Sequence, residues 1–474
     1  MNNFNADSLI RAGRDLPVPF LLSLVRPGGE ETDMTVQKIL RLLPGKRIVA
    51  VAEVDGKQFL VKIFIGRHCS RYAKREASGA RAIEDAGVLT ASLEWEALKK
   101  STRGHVLGFE YLSDAKDLLE VWEKSENDDQ RRRLISAVIP ALAALHEGGV
   151  VQNDIHPENF LFRSDLIYTI DGGDVTRHGR GPLGDRKSMD NIALFFAQFP
   201  ARHDHFVSEL LEQYRQLRAW PLDEGRLQRL VGLIDSKRSK RKKDYIEKAF
   251  RECTRFTCEH SFNRFSVCER EYDSPAMREL LSQIDKRIES GRLLKDGNSA
   301  TVALIDGPLG PLVVKRYNIK DASHGISRVF RKSRAWISWA NAYRLKFLGI
   351  NTVKPVAMVE ERFGPLRGKA YFITEYIDGP DATVLPEIEN PSAEMISIVE
   401  ILKGLSAAGV SHGDLKASNF LLGSDGAVII DLDSMKEHSN QVDRDLAKKK
   451  DIVRFMRNWE SIPQVEQRFA DLLG

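Results

Sequence analysis

Asp154, Asn159 and Asp171 stand five and twelve residues apart in VVQNDIHPENFLFRSDLIYTID, and Asp414, Asn419 and Asp431 repeat that spacing in VSHGDLKASNFLLGSDGAVIID. An Asp followed five residues later by an Asn suits phosphoryl transfer. The Asp accepts the proton of an acceptor hydroxyl and the Asn binds a magnesium ion. A second Asp beyond a short hairpin supplies the other metal ligand, and two short strands with a turn occupy about twelve residues. Phe160–Phe162 with Leu166–Ile170, and Phe420–Leu422 with Ala427–Ile430 around Ser424-Asp425-Gly426, are expected to form those hairpins. Asp and Asn are also ordinary turn residues, but the duplication makes coincidence a poor account.

The elements around these residues follow the same logic. RIVAVAEV, an Asp55-Gly56 turn and KQFLVKIF read as a β-hairpin. Lys62 lies inside its second strand, placed to meet the α- and β-phosphates of a nucleotide; the plainer reading is an edge-strand lysine facing water. Arg71–Ala86 reads as a helix, with Glu76 fourteen residues after Lys62 and suited to pair with it. Glu110, in Phe109-Glu110-Tyr111-Leu112, marks a hinge between two lobes, and the helix Arg131–Glu147 leads into the Asp154 loop.

In the second half Gly297 lies in the turn of Lys295–Val302, and Lys315 sits on the strand Leu312–Tyr317. Ala335–Leu348 forms the helix, and Glu375 occupies the hinge. Eleven residues before Gly87 stands Glu76, whereas eleven before Gly349 stands Ser338, so the second half lacks the helix glutamate. Asp190 and Asp451 follow the two hairpins at matching distances. Only 19 residues separate Asp171 from Asp190, with no A-P-E. A peptide-docking segment has no room there, which favours a small-molecule or glycan acceptor over a protein.

A chain of 474 residues has room for two or three domains, and 42% apolar with 29% charged residues is ordinary for a soluble protein. A polar Met1–Asn5 and the lack of any run near 20 apolar residues point to a cytoplasmic, non-spanning protein. Four cysteines fit a reducing compartment. Cys253, Cys258, His260 and Cys268 crowd together without a C-x-x-C pair, so ordinary thiols are preferred to zinc. Ser236–Lys243 (SKRSKRKK), Arg328–Arg334 and Lys448–Lys450 are basic. They read as solvated faces or as contacts with an anionic membrane surface. No nucleic-acid module accompanies them, and no nucleic-acid partner is expected. Met1–Leu43, with Pro17, Pro19 and Pro27, reads as an edge strand or linker.

Both halves resemble the lipopolysaccharide core kinase family, the heptose and Kdo kinases of the protein-kinase-like superfamily, with an InaA-like character. The first half carries the resemblance in LPGKRIVAVAEVDGKQFLVKIF, KREASGARAIEDAGV, NDIHPENFL and TID; the second in VVKRYNIK, SRAWISWANAYRLKFLGI, SHGDLKASNFLL, IDLDSM and RFMRNW. The resemblance implies an α+β fold of two tandem protein-kinase-like domains, each with a small antiparallel-sheet N-lobe plus helix and a mainly helical C-lobe. They are expected at 1–235 and 276–474, joined by a basic linker at 236–275. It implies Asp154 and Asp414 as catalytic bases, and Asn159, Asp171, Asn419 and Asp431 as magnesium ligands. Lys62, Glu76, Glu110, Gly297, Lys315 and Glu375 would serve ATP binding. The acceptor would be a lipid-linked core oligosaccharide at the cytoplasmic face of the inner membrane. Alternatives are a nucleotide-binding regulatory protein and an atypical protein kinase. Gln152-Asn153 replaces the usual His-Gly in the first half, yet its Lys–Glu–Asp–Asn–Asp set is complete, which favours the first half as catalyst.

Overall fold

A computed structural model of the chain describes residues 2–99, 104–179, 181–221, 223–318, 332–364 and 366–474. The architecture is α+β and divides into two compact units: residues 1–199 with 203–238, and residues 200–202 with 239–474.

The first unit opens with a sheet in the spatial order Asn2–Asn3, Phe20–Val25, Glu31–Leu43, Arg47–Val54, Lys57–Ile65, Gly104–Glu110, Leu93–Lys99. Phe20–Val25 also pairs with Leu93–Lys99, which closes six of the strands into an antiparallel ring. The N-terminal segment is therefore part of the sheet rather than a linker. Alternation decides its faces. Ile48, Ala50, Val61 and Ile63 join Phe20, Leu22 and Leu24 in one buried cluster. Their neighbours Leu60 and Phe64 point the other way, onto Ala73, Ala77 and Ala80 of the helix Cys69–Asp85. Lys62 shares that second face. The hairpin turn is tight, with Asp55 and Gly56 both at positive φ (51° and 78°).

The rest of the first unit is mainly helical. Asn127 caps the helix Asp128–Glu147 by accepting from Gln130 N, and Asp128 and Asp129 favour its N-terminal end. The helices Asp185–Phe196 and Val207–Leu217 pack on it through Val138, Leu142, Ile192, Phe195 and Leu210.

The second unit has its own antiparallel sheet, ordered Phe256–His260, Arg264–Glu269, Pro355–Phe363, Leu366–Glu375, Gly310–Tyr317, Ala300–Gly307, Arg292–Gly297. The helix Arg334–Leu348 lies against it, capped by Ser333 at one end and closed by Gly349 at φ 68° at the other. Residues 236–275, expected as a basic linker, are ordered elements. They continue the helix Glu224–Lys248 and then supply two strands of this sheet. The burial of Phe256, Phe265 and Val267 explains why: the segment alternates apolar residues that its basic start conceals. Of the expected basic cluster Arg328–Arg334, residues 328–331 lie outside the described residues. Among the described residues no helix is long and apolar enough to cross a membrane.

Candidate active site

In the first unit the strand Lys57–Ile65 delivers Lys62 to the carboxylates of Glu76 and Asp171. Lys62 Nζ lies 2.5 Å from Glu76 Oε1 and 3.1 Å from Asp171 Oδ1. Arg47, just after the turn at Gly45, adds a second cation at 3.8 Å from Glu76 and 3.9 Å from Asp171. Burial pushes the Glu76 carboxyl up, opposed by the charge of Lys62. Burial also acts to raise Asp171, but Lys62 and Arg47 outweigh it and hold that carboxyl below its ordinary range.

The hairpin forms as expected, Phe160–Arg163 against Leu166–Thr169, and ends in Asp171 at φ 69°. Asn159 Nδ2 donates to the Asp154 carbonyl at 2.8 Å, which ties the loop Asp154–Asn159 into one turn. Glu110, expected to serve the cofactor, accepts instead from Arg163 at 3.3 Å.

The same bonds recur 260 residues later. Asn419 Nδ2 donates to the Asp414 carbonyl at 2.7 Å, Phe420–Gly423 pairs with Gly426–Ile429, and Asp431 sits at φ 63°. Lys315 forms an ion pair with Asp431. Burial acts to raise Asp431, and the charge of Lys315 more than offsets it, so this carboxyl also lies below its usual range. A cleft of about 550 Å³ opens here, lined by Lys315, Asn419, Asp431, Gly297, Phe372 and Glu375. Glu375 also binds Tyr272 and, at 3.2 Å, Lys354.

Helix positions confirm the count that put Ser338 opposite Glu76. Gly79 packs directly on Gly172 in the first unit, while Asn341, 262 residues on, donates to the Leu432 carbonyl at 2.7 Å. Three residues earlier stands Glu76 in one helix and Ser338 in the other. Ser338 meets Tyr317, 2.7 Å between hydroxyls, and does not reach Lys315. Asp433, in the quoted IDLDSM but given no role from sequence, fills the gap. Its Oδ2 lies 3.5 Å from Lys315 Nζ and 2.5 Å from Arg334 Nη2.

Two further differences from expectation concern the loop supports. Asp190 does not correspond to Asp451; its carboxylate pairs with Lys237 at 3.0 Å. The residue 20 beyond Asp171 is Asn191, which donates to the Gln152 carbonyl at 2.8 Å, whereas Asp451 accepts from the backbone N–H groups of His412 (2.6 Å) and Gly413 (3.1 Å). A count from Asp171 to Asn191 and from Asp431 to Asp451 would have found the pair. Gln152, read as a departure, does the work of its counterpart. Gln152 Nε2 donates to the Ile170 carbonyl at 2.8 Å, and His412 Nε2 meets the Ile430 carbonyl at 2.9 Å.

Cys253, Cys258 and His260 do not assemble with Cys268 into a metal cluster: no group of three or more His, Cys, Asp or Glu side chains that could hold a metal occurs among the described residues. Burial pushes the Cys268 thiol up to about 12.

A comparison with protein families fixes the class of chemistry: the second unit is a phosphotransferase with an alcohol group as acceptor. Residues 310–474 match the lipopolysaccharide kinase (Kdo/WaaP) family, whose members are kinases that phosphorylate lipopolysaccharide core sugars. No curated protein sequence matches the chain.

Proposed function

We propose that the chain is an ATP- and magnesium-dependent kinase of two tandem kinase-like units, which phosphorylates a sugar hydroxyl of a lipid-linked lipopolysaccharide core oligosaccharide. The reading rests on the second-unit cleft. Lys315, Asn419 and Asp431 line it, and the loop bond of Asn419 ties it to Asp414, all within the matched residues.

The residues fit the cofactor. Asn419 commits its amide nitrogen to the backbone and keeps its amide oxygen, which with the Asp431 carboxylate gives the hard oxygen donors that Mg²⁺ takes. Asn159 and Asp171 offer the same pair in the first unit. Bound magnesium would neutralise charge on the nucleotide phosphates. Lys315 would hold the α- and β-phosphates, steadied by Asp431 and Asp433, as Lys62 is by Glu76 and Asp171. Asp414 would take the hydroxyl proton as the new oxygen–phosphorus bond forms and the bond from Pγ to the bridging oxygen breaks. Positioning and charge neutralisation carry most of such a reaction.

We assign transfer to the second unit because the family match falls there, and nucleotide binding to the first, whose Asp154 would be a second base. The acceptor places the enzyme at the cytoplasmic face of the inner membrane, with the basic helix faces toward anionic lipid. The test is ADP release from Mg-ATP with core oligosaccharide, alongside Asp154→Asn and Asp414→Asn. Loss with Asp414→Asn alone supports the assignment. Turnover only with peptide acceptors, or untouched by both variants, contradicts it.

A further inference from the structure

A basin of about 1440 Å³ opens beside Asp414, on the side of the loop facing the helix Gln441–Met456. Six cations line it: Lys416, Lys436, Lys449, Lys450, Arg454 and Arg457. Two carboxylates, Asp443 and Asp451, stand against them, and Asp451 is already engaged by the loop N–H groups of His412 and Gly413. Net positive charge concentrated in a concave surface draws anions and raises their local concentration.

The charge is peculiar to the second unit. At the positions 260 residues earlier the first unit has His156, Thr176, Met189, Asp190, Leu194 and Ala197. Its loop and hairpin keep the same hydrogen bonds without these cations, so the fold does not require them.

Arg454 joins the basin to the loop. Its guanidinium pairs with Asp414 Oδ1, and Lys416 Nζ lies 2.9 Å from Oδ2. Both oxygens of the proposed base therefore carry a cation, and a hydroxyl approaching the carboxylate meets Arg454. The Arg454 side chain is 47% exposed and its stem is long enough to turn into the basin. Guanidinium binds phosphate or carboxylate with two parallel N–H donors, a better match than one carboxylate oxygen.

We infer that the basin binds an acceptor already carrying a phosphate or carboxylate close to the reacting hydroxyl, and that Arg454 is the positioning residue that reads this anion and uncovers Asp414 on binding it. The inference rests on the second-unit kinase reading for its catalytic half, and on the basin alone for its binding half. A neutral sugar leaves Arg454 on Asp414. An anionic one draws it away and is selected by that step.

The test compares deacylated core oligosaccharide with the same oligosaccharide stripped of phosphates and with its carboxyls reduced, using the full chain. Binding is measured by calorimetry without ATP, and kcat and KM with Mg-ATP. Wild type is expected to bind the anionic form at least tenfold more tightly. Arg454→Gln and, separately, Lys450→Gln should weaken that binding at least fivefold. Arg454→Gln should also collapse the anionic-to-neutral ratio of kcat/KM, mainly through KM, and Arg454→Lys should restore part of it. Equal binding of the two oligosaccharides, or discrimination untouched by both glutamine variants, overturns the inference. If Asp414→Asn still abolishes turnover in that case, the kinase reading survives its loss. If anion binding depends on Arg454 and Lys450 but nothing is phosphorylated, the basin stands and the kinase reading fails.

Discussion

Lys315 Nζ lies 3.5 Å from Asp433 Oδ2, a carboxylate whose side chain is only 4% exposed. The second unit thus steadies its strand lysine with an acid from the turn after Asp431, not with one from the helix. Asp433→Asn should lower kcat/KM for ATP by about 10- to 100-fold, equivalent to roughly 1.4–2.8 kcal/mol. Ser338→Glu should not compensate, because Ser338 is fully buried against Tyr317 and an added carboxylate there costs roughly 2–4 kcal/mol of stability. Steady-state kinetics and urea unfolding of the two variants check both statements. Full activity in Asp433→Asn contradicts the first.

The first unit makes the opposite choice, and its pair is buried: Lys62 is 8% and Glu76 1% exposed. Removing either partner strands a charge, so Glu76→Ala and Lys62→Ala should each destabilise this unit by about 3 kcal/mol. The double variant should cost clearly less than the sum. Additive losses in urea unfolding would show that the two side chains act independently.

These two contacts also show how far the sequence could be read. The Asp–Asn–Asp ruler, the strand lysines and the vacant position at Ser338 were visible because they depend on local spacing along the chain. Asp433 was not assigned, since only the fold shows that its side chain turns toward Lys315. Asn191 was missed by one residue in favour of Asp190, because periodicity does not say which of two adjacent polar residues faces the core. Met1–Leu43 and residues 236–275 were undervalued for another reason. Their strands are stabilised by pairing with distant segments, Leu24 beside Lys99 and Cys268 beside Ala357, which leaves little local signal.

Close approach of helix and turn fixes where Glu76 sits. A Cβ on Gly79 would collide with the Gly172 carbonyl, so Gly79→Ala should cost roughly 2–4 kcal/mol and weaken nucleotide binding in the first unit. Gly232, exposed on a helix with nothing within 4 Å of such a Cβ, is the control: Gly232→Ala should stabilise by up to about 1 kcal/mol. Thermal unfolding of both variants measures the contrast, and similar melting points would refute it.

His146 makes the first unit sensitive to acid. Its ring is fully buried, between Tyr214 OH at 2.8 Å and Asn191 Oδ1 at 2.9 Å, and burial lowers its pKa from 6.5 to about 4. Between those values the unfolded chain takes up a proton that the folded one does not, so stability falls as pH drops from about 6.5 towards 4. The loss approaches roughly 3 kcal/mol at the lower end. His146→Gln should be less stable at pH 7 but show a flatter decline over this window. Unfolding midpoints measured at intervals across it provide the check, and an unchanged slope would assign the acid sensitivity elsewhere.

The central claim is that the Lys315–Asn419–Asp431 cleft delivers a phosphoryl group to a sugar hydroxyl under control of Asp414. Transfer of label from the γ-phosphate of ATP to purified core oligosaccharide measures this most directly. Wild type should label the oligosaccharide in the presence of magnesium, and Asp414→Asn should reduce the rate by about 10³-fold while still binding Mg-ATP. An oligosaccharide that stays unlabelled with wild type, or labels equally with Asp414→Asn, would contradict it.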